Sequence, residues 1–209
     1  HCKLLIGPRF ALLRPQFAAR RTESLARRKD GRLENILVSM GGVDNTNVTA
    51  RVLEALEQAQ LAQRLLITVV LGPSAPWVQE VRGMAAISKY SINVRHGVGD
   101  MAAIMVSADI AIGAAGSTAW ELCALGVPMI NVAPSAKQWP LALAISRSGA
   151  GYSIHLQKLS KELEKILSDA ETHLPVLSNR AKRIADGKGA DRVTRLMVSQ
   201  NSGLDSVNA

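Results

Sequence analysis

Cysteine is nearly missing from this chain of 209 residues, which has only Cys2 and Cys123. One stands at the start and the other in a helical apolar run, so the reading is a reduced, cytoplasmic chain without a disulfide framework. Aromatic residues make up 3%. That scarcity leaves Ala, Leu, Val and Ile to carry the packing and favours helices on a buried sheet over an all-β sandwich. No apolar run approaches the roughly 20 residues that span a bilayer, and no signal peptide is visible. CxxC, a histidine cluster and HExxH are all missing, so no metal site is proposed and no cofactor is implied. GxGxxG and the P-loop are missing as well. An initiating methionine is also lacking: the chain opens His1-Cys2-Lys3, already inside a hydrophobic stretch, and reads as a fragment whose N-terminal part is missing.

What is present is apolar and basic. Hydrophobic residues make up 47%, enough for a substantial core in one large domain or two small ones. The formal net charge is +8. Arg9, Arg14, Arg20, Arg21, Arg27, Arg28, Lys29 and Arg32 crowd the start, and Arg180, Lys182, Arg183, Lys188, Arg192 and Arg195 form a second cluster. With no recognisable nucleic-acid-binding motif and no aromatic stacking face, nucleic acid is not the expected partner. The clusters read as a solvated linker and a solvated helix face, with attraction of a polyanionic diphosphate as another use.

Strand and helix signals alternate. Residues 1–34, interrupted by Pro8 and Pro15, read as a connection rather than a core element, with Leu4-Leu5-Ile6 as the last strand of a preceding domain. Strands are predicted over 35–40, 66–71, 92–96, 109–112, 127–132 and 152–154. Helices are predicted over 45–58, 76–87, 101–107 (capped by Asp100), 118–125, 141–148, 160–169 and 178–185. A last amphipathic helix uses Val193, Leu196 and Met197, and the polar tail from Ser202 reads as disordered. Alternation of this kind implies parallel βαβ units with right-handed crossovers and helices on both faces of the sheet, a Rossmann-like α/β fold. Ligands of such sheets bind beyond the carboxyl ends of the strands. Five loops therefore share one rim: Gly41-Gly42-Val43-Asp44, Gly72-Pro73-Ser74, Gly97-Val98-Gly99, Gly113 to Thr118, and Ala133 to Gln138.

The most informative segment runs from Ala108 to Glu121: a short buried strand, a turn of small residues, and a helix opening with Ser117 and Thr118. Gly and Ala let a ligand approach the backbone, and the helix start suits an anion such as phosphate. Glu121, one turn in, can accept hydrogen bonds from sugar hydroxyls; strand, open turn, hydroxyl pair and carboxylate suggest a nucleotide-sugar site. The same spacing also fits a capping box of Thr118 with Glu121. Gly41-Gly42 is either a tight turn or a point of ligand approach, and Asp44 reads as a helix cap. His96, His155 and His173 have no partner nearby in sequence, and no Ser-His-Asp arrangement can be argued. Trp120 and Trp139 read as packing residues that could border a sugar site, and Gln138 could hydrogen-bond a sugar hydroxyl.

Residues 35–44, Asn-Ile-Leu-Val-Ser-Met-Gly-Gly-Val-Asp, followed by a helix ending Val52-Leu-Glu-Ala-Leu56, resemble the opening of the C-terminal domain of the UDP-sugar hydrolases of pseudaminic acid synthesis. Thr68 to Pro73, Met101 to Ile112, Gly113 to Glu121 and Leu125-Gly-Val-Pro128 are similar to further blocks of that family, and Leu5 to Arg14 looks like its interdomain crossover. The family in turn resembles the GT-B glycosyltransferases, such as the N-acetylglucosaminyltransferase of peptidoglycan synthesis. The resemblance implies the C-terminal domain of a GT-B fold, with residues 1–34 as interdomain connection and end of a missing N-terminal domain, 35–199 as a UDP-sugar-binding domain and 200–209 as tail. It implies that Glu121 binds the ribose, Ser117 and Thr118 with Gly116 hold the diphosphate, Gly41 and Gly42 approach the phosphate–sugar region, the loop around Val98 meets the uracil, and Gln138 contacts the sugar. The implied partners are UDP or a UDP-sugar and the chain's own N-terminal domain. That domain would carry the catalytic base, so the fragment alone is expected to be nearly inactive. Hydrolysis would release UDP and a 2,4-diacetamido-2,4,6-trideoxyhexose without any required metal; a UDP-sugar glycosyltransferase and a non-catalytic binding domain are the alternatives. Lys137 and Val43 depart from the family pattern.

Overall fold

The computed structural model describes residues 4–28, 31–133 and 136–201. After a short 3-10 turn, two helices come first, α1 (Pro15–Ala19) and α2 (Arg21–Arg27). Strands and helices then alternate: β1 (Asn35–Ser39), α3 (Val48–Gln58), β2 (Leu66–Leu71), α4 (Val78–Ile87), β3 (Ser91–His96), α5 (Met101–Ser107), β4 (Ile110–Ala114), α6 (Thr118–Leu125), β5 (Met129–Ala133), α7 (Trp139–Arg147) and β6 (Gly151–His155). Two helices close the chain, α8 (Leu159–Ile184) and α9 (Gly189–Asn201). The six strands are parallel and ordered β3-β2-β1-β4-β5-β6. This is the doubly wound Rossmann-like arrangement expected from the alternation, and the chain reverses its direction of travel between β1 and β4.

Successive strand residues face opposite sides, and each side has its own core. Ile36, Val38, Ile67, Val69, Ile110, Ile112 and Ile130 join residues of α3 and α8 on one face. Leu37, Val70, Ala111 and Met129 join Phe17 and residues of α5, α6 and α7 on the other. Burial on both faces explains why the strands read as continuous apolar runs. Asn47 accepts from the amide of Ala50 at 3.2 Å at the start of α3, and Asp100 accepts from Ala103 at 3.1 Å at the start of α5. Gly126 ends α6 in the left-handed conformation, φ 67°.

Three expectations need correction. Leu4, Leu5 and Ile6 form no strand. The segment before β1 is also more than a connection: Phe17, Ser24 and Arg28 are buried, and α1 and α2 lie against α5 and α6. Two of its arginines, Arg21 and Arg28, read as solvated, instead hold helix ends, while Arg9, Arg14, Arg27 and Arg32 are exposed as expected. Finally, the two helices expected over 160–169 and 178–185 are one, α8. Pro175 lies inside it, yet Leu159, Leu163, Leu167, Ala170, Leu174, Leu177 and Ala181 are buried along one unbroken stripe of helical period. The tail expected from Ser202 lies outside the described residues.

Candidate functional site at the strand ends

The crevice between β1 and β4 is framed by glycines of two kinds. Some are demanded by packing: a Cβ on Gly113 would lie 2.7 Å from the Ser39 carbonyl oxygen, and one on Gly72 would lie 1.9 Å from that of Gly42. These bring the loops after β1, β2 and β4 together. Gly42 and Gly116 are different. A Cβ on either would meet nothing within 4 Å, and neither has a positive φ. No feature of the fold requires glycine there, so the room in front of both is open to a ligand. Gly41, at φ 94°, makes the turn itself.

Ser117 stands at the N-cap of α6 and makes no side-chain capping bond. The cap lies one residue earlier than the Thr118–Glu121 spacing suggests, which puts Glu121 at the fourth helical position and out of the capping-box frame. The N-terminal end of α6 therefore faces the crevice without a side-chain cap, its positive end toward the rim. Glu121 is largely buried, and burial raises its carboxyl pKa against the lowering effect of Arg14. Arg14 Nη2 lies 4.0 Å from Glu121 Oε1, and its Nη1 donates to the Gly99 carbonyl at 3.0 Å. One guanidinium thus ties the loop after β3 to the carboxylate on α6. Sequence reasoning left Arg14 in the connection; only the packing of α1 beside α6 reveals its place.

The loop after β3 is anchored by the amide of Gly97, which donates to Leu71 at 3.0 Å, and Val98 is partly buried against the core. The loop after β5 carries Gln138 at the N-cap of α7; residues 134 and 135 lie outside the described residues. Gln138 is thus one strand further along the rim than Ser117 and Thr118. Its Oε1 is shielded from solvent and has no hydrogen-bond partner among the described residues. Trp139 stacks on His155 with ring centroids 3.7 Å apart, a pairing invisible in the sequence because the two are far apart in it. Trp120 and Ser117 border a cavity of about 530 Å³ with Leu5, Phe10 and Leu12. Asp44 is occupied as a cap, accepting from Val48 at 2.8 Å and Thr49 at 2.9 Å. His96 is exposed at the end of the edge strand β3, and His173 bonds within α8 to the Asp169 carbonyl.

A six-stranded parallel sheet wound this way is the fold of GT-B glycosyltransferase C-terminal domains. The structure of Acinetobacter baumannii MurG superposes with a TM-score of 0.71 at 20% identity, covering 88% of this chain and 55% of that one. The calicheamicin glycosyltransferase CalG4 gives 0.59 at 15% identity, over 86% and 45%. The sequence matches the glycosyltransferase family 28 C-terminal domain over residues 35–195, and the chain belongs to that family. It is 30% identical over 176 residues to the spore coat polysaccharide biosynthesis protein SpsG of Bacillus subtilis strain 168, covering 81% of this chain and 51% of that protein. It is 33% identical over 128 residues to the uncharacterized protein MJ1062 of Methanocaldococcus jannaschii, covering 59% and 26%. The chain thus spans about half the length of the first and about a quarter of the second. Among the described residues no helix is long and apolar enough to cross a membrane.

Proposed function

We propose that this chain is the donor-binding half of a UDP-sugar glycosyltransferase of the GT-B type, with the acceptor and the catalytic base supplied by an N-terminal domain. The observation that carries the proposal is the N-terminus of α6 at the reversal point of the sheet. It has no side-chain cap, it follows Gly116 directly while Gly42 lies in the loop after the neighbouring strand β1, neither glycine is required by the fold, and Glu121 follows one turn in. In this reading the amides around Gly116, Ser117 and Thr118 take the diphosphate, Glu121 takes the ribose, the backbone around Val98 takes the uracil, Gly41 and Gly42 lie against the phosphate–sugar region, and Gln138 takes the sugar. As the bond to the anomeric carbon breaks, charge develops on the departing UDP. The helix end, fixed before reaction, stabilises that charge.

A second reading keeps the same site and replaces the acceptor alcohol with water. It is favoured by the residue-level resemblance of Gly41 to Asp44, Met101 to Glu121 and Leu125 to Pro128 to the UDP-sugar hydrolases; the family match and the solved structures favour transfer. The complete protein separates the two. Incubated with UDP-N-acetylhexosamines, a transferase releases UDP only when an acceptor fraction is supplied. UDP release in buffer alone, with solvent oxygen-18 in the freed sugar, would establish hydrolysis and overturn the first reading.

A further inference from the structure

The stack of Trp139 on His155 has no part in either core. Its ring planes are 19° apart; His155 is exposed and Trp139 half-buried, and neither belongs to the two hydrophobic clusters. His155 ends β6 and stands opposite Ala133, the last residue of β5. Trp139 is the first residue of α7. The stack therefore fastens the first turn of α7 to the strand beside the one it follows. Gln138 precedes Trp139 and makes no side-chain capping bond; the packing of Leu141 against the second core holds one side of that turn and the stack holds its leading residue. The Oε1 of Gln138 is shut away from water without a donor among the described residues. A buried acceptor left unmatched is uncommon in a folded chain. Here it belongs to the residue that the stack holds in place, on the rim where strand-end ligands bind.

We infer that His155 is a positioning residue for the sugar end of the site: through Trp139 it holds the first turn of α7, so that the Gln138 amide, turned about its terminal torsion, meets a hydroxyl or acetamido group of the donor sugar. The inference rests on the nucleotide-sugar reading above and adds a residue that the reading does not use. The occupant is a polar hexose ring; the nucleotide is held elsewhere, so losing the stack removes the sugar's share of affinity and leaves the nucleotide's share intact.

The test is calorimetric titration of the 209-residue chain with UDP, UDP-glucose and UDP-N-acetylglucosamine, with melting curves to show that each variant is folded. The quantity read is the affinity for the better UDP-sugar divided by that for UDP. His155→Ala should lower this ratio about three- to tenfold, in line with the worth of an aromatic pair, with UDP affinity unchanged. His155→Phe, which keeps the stack, should restore it. Gln138→Ala should lower it similarly, and the double variant should lose no more than the larger single loss, as expected of residues acting in series. A wild-type ratio of one, a ratio indifferent to His155→Ala, or equal losses for UDP and UDP-sugar would overturn the inference while leaving UDP binding in place. Failure of the folded wild-type chain to bind UDP at all would overturn the nucleotide-sugar reading and the inference with it.

Discussion

A carboxylate that accepts two ribose hydroxyls must be ionised, and Glu121 is largely buried, which raises its pKa. Protonation then begins at a higher pH than for an exposed glutamate, and it removes the charge and turns one of the two acceptor oxygens into a donor. UDP affinity of the wild-type chain should fall as the pH is lowered, beginning above the pH at which an exposed glutamate takes up its proton. Glu121→Gln should bind more weakly at neutral pH and show a shallower profile, left with the titration of the UDP terminal phosphate alone; identical profiles would remove the ribose role. Linkage has the opposite sign for stability. With the folded pKa above the unfolded one, ionised Glu121 destabilises the fold as pH rises through this range, so Glu121→Gln should melt no lower than wild type at neutral pH. The pattern of a site residue, better for binding than for folding, is what calorimetry and melting curves together would read. Cys123 is the contrasting case. It is fully buried, and burial pushes its thiol up to about 12. Iodoacetamide at mildly alkaline pH should leave Cys123 unmodified in the native chain and label it after denaturation, as peptide mapping would show; fast native labelling would contradict the packing under α6.

Among the elements, the strand-end loops divide glycines that shape the fold from glycines that leave room. Gly116→Ala adds a methyl to open space and should leave the melting temperature within about 2 °C while weakening UDP binding about tenfold or more. Gly72→Ala places its Cβ 1.9 Å from the Gly42 oxygen and should lower stability by about 2 kcal/mol or more through displaced backbone. Equal effects of the two on stability would refute the distinction. Both glycines look alike in the sequence, where Gly72-Pro73 or the run Ala114-Ala115-Gly116 says only that a turn is near. The strands, their parallel direction and the shared rim were legible because buried β-branched runs alternate with helical spacing; the order of the strands in the sheet was not. Asp44 and Asp100 were legible as caps because they stand just ahead of apolar helical patterns, and both act so. The continuity of α8 was hidden by Pro175, whose breaking tendency loses to a stripe of buried Leu and Ala that spans it. The span of α6 was legible as 118–125, but which residue caps it was not, because Ser117 and Thr118 are equally good caps on paper.

For the molecule as a whole, α2 binds the two layers of the site together. The Arg28 guanidinium is buried and donates to the carbonyls of Leu125, Met105 and Val106, at the C-terminal ends of α6 and α5. Burial lowers its pKa to about 10, still charged at neutral pH. Arg21 donates to Ala124, Lys182 and Ala185, joining α6 to the end of α8. Positive charge at helix C-termini complements their dipoles, and the helices held this way point their N-termini at the rim. The charges of Arg21 and Arg28, which read as part of a solvated linker, are therefore spent inside the fold, where sequence cannot show it because the carbonyls belong to distant residues. Arg28→Ala strands several buried acceptors and should cost about 3 kcal/mol in denaturant unfolding; a loss under about 1 kcal/mol would mean that the clamp carries little. The central claim is that the crevice between β1 and β4 holds a uridine nucleotide with Glu121 on its ribose. Calorimetric titration of the folded chain with UDP, beside Glu121→Ala, tests it most directly. Saturable one-to-one binding by wild type, weakened at least tenfold by the substitution, is the predicted result; wild-type binding that Glu121→Ala leaves unchanged, or no binding by the folded wild-type chain, would contradict it.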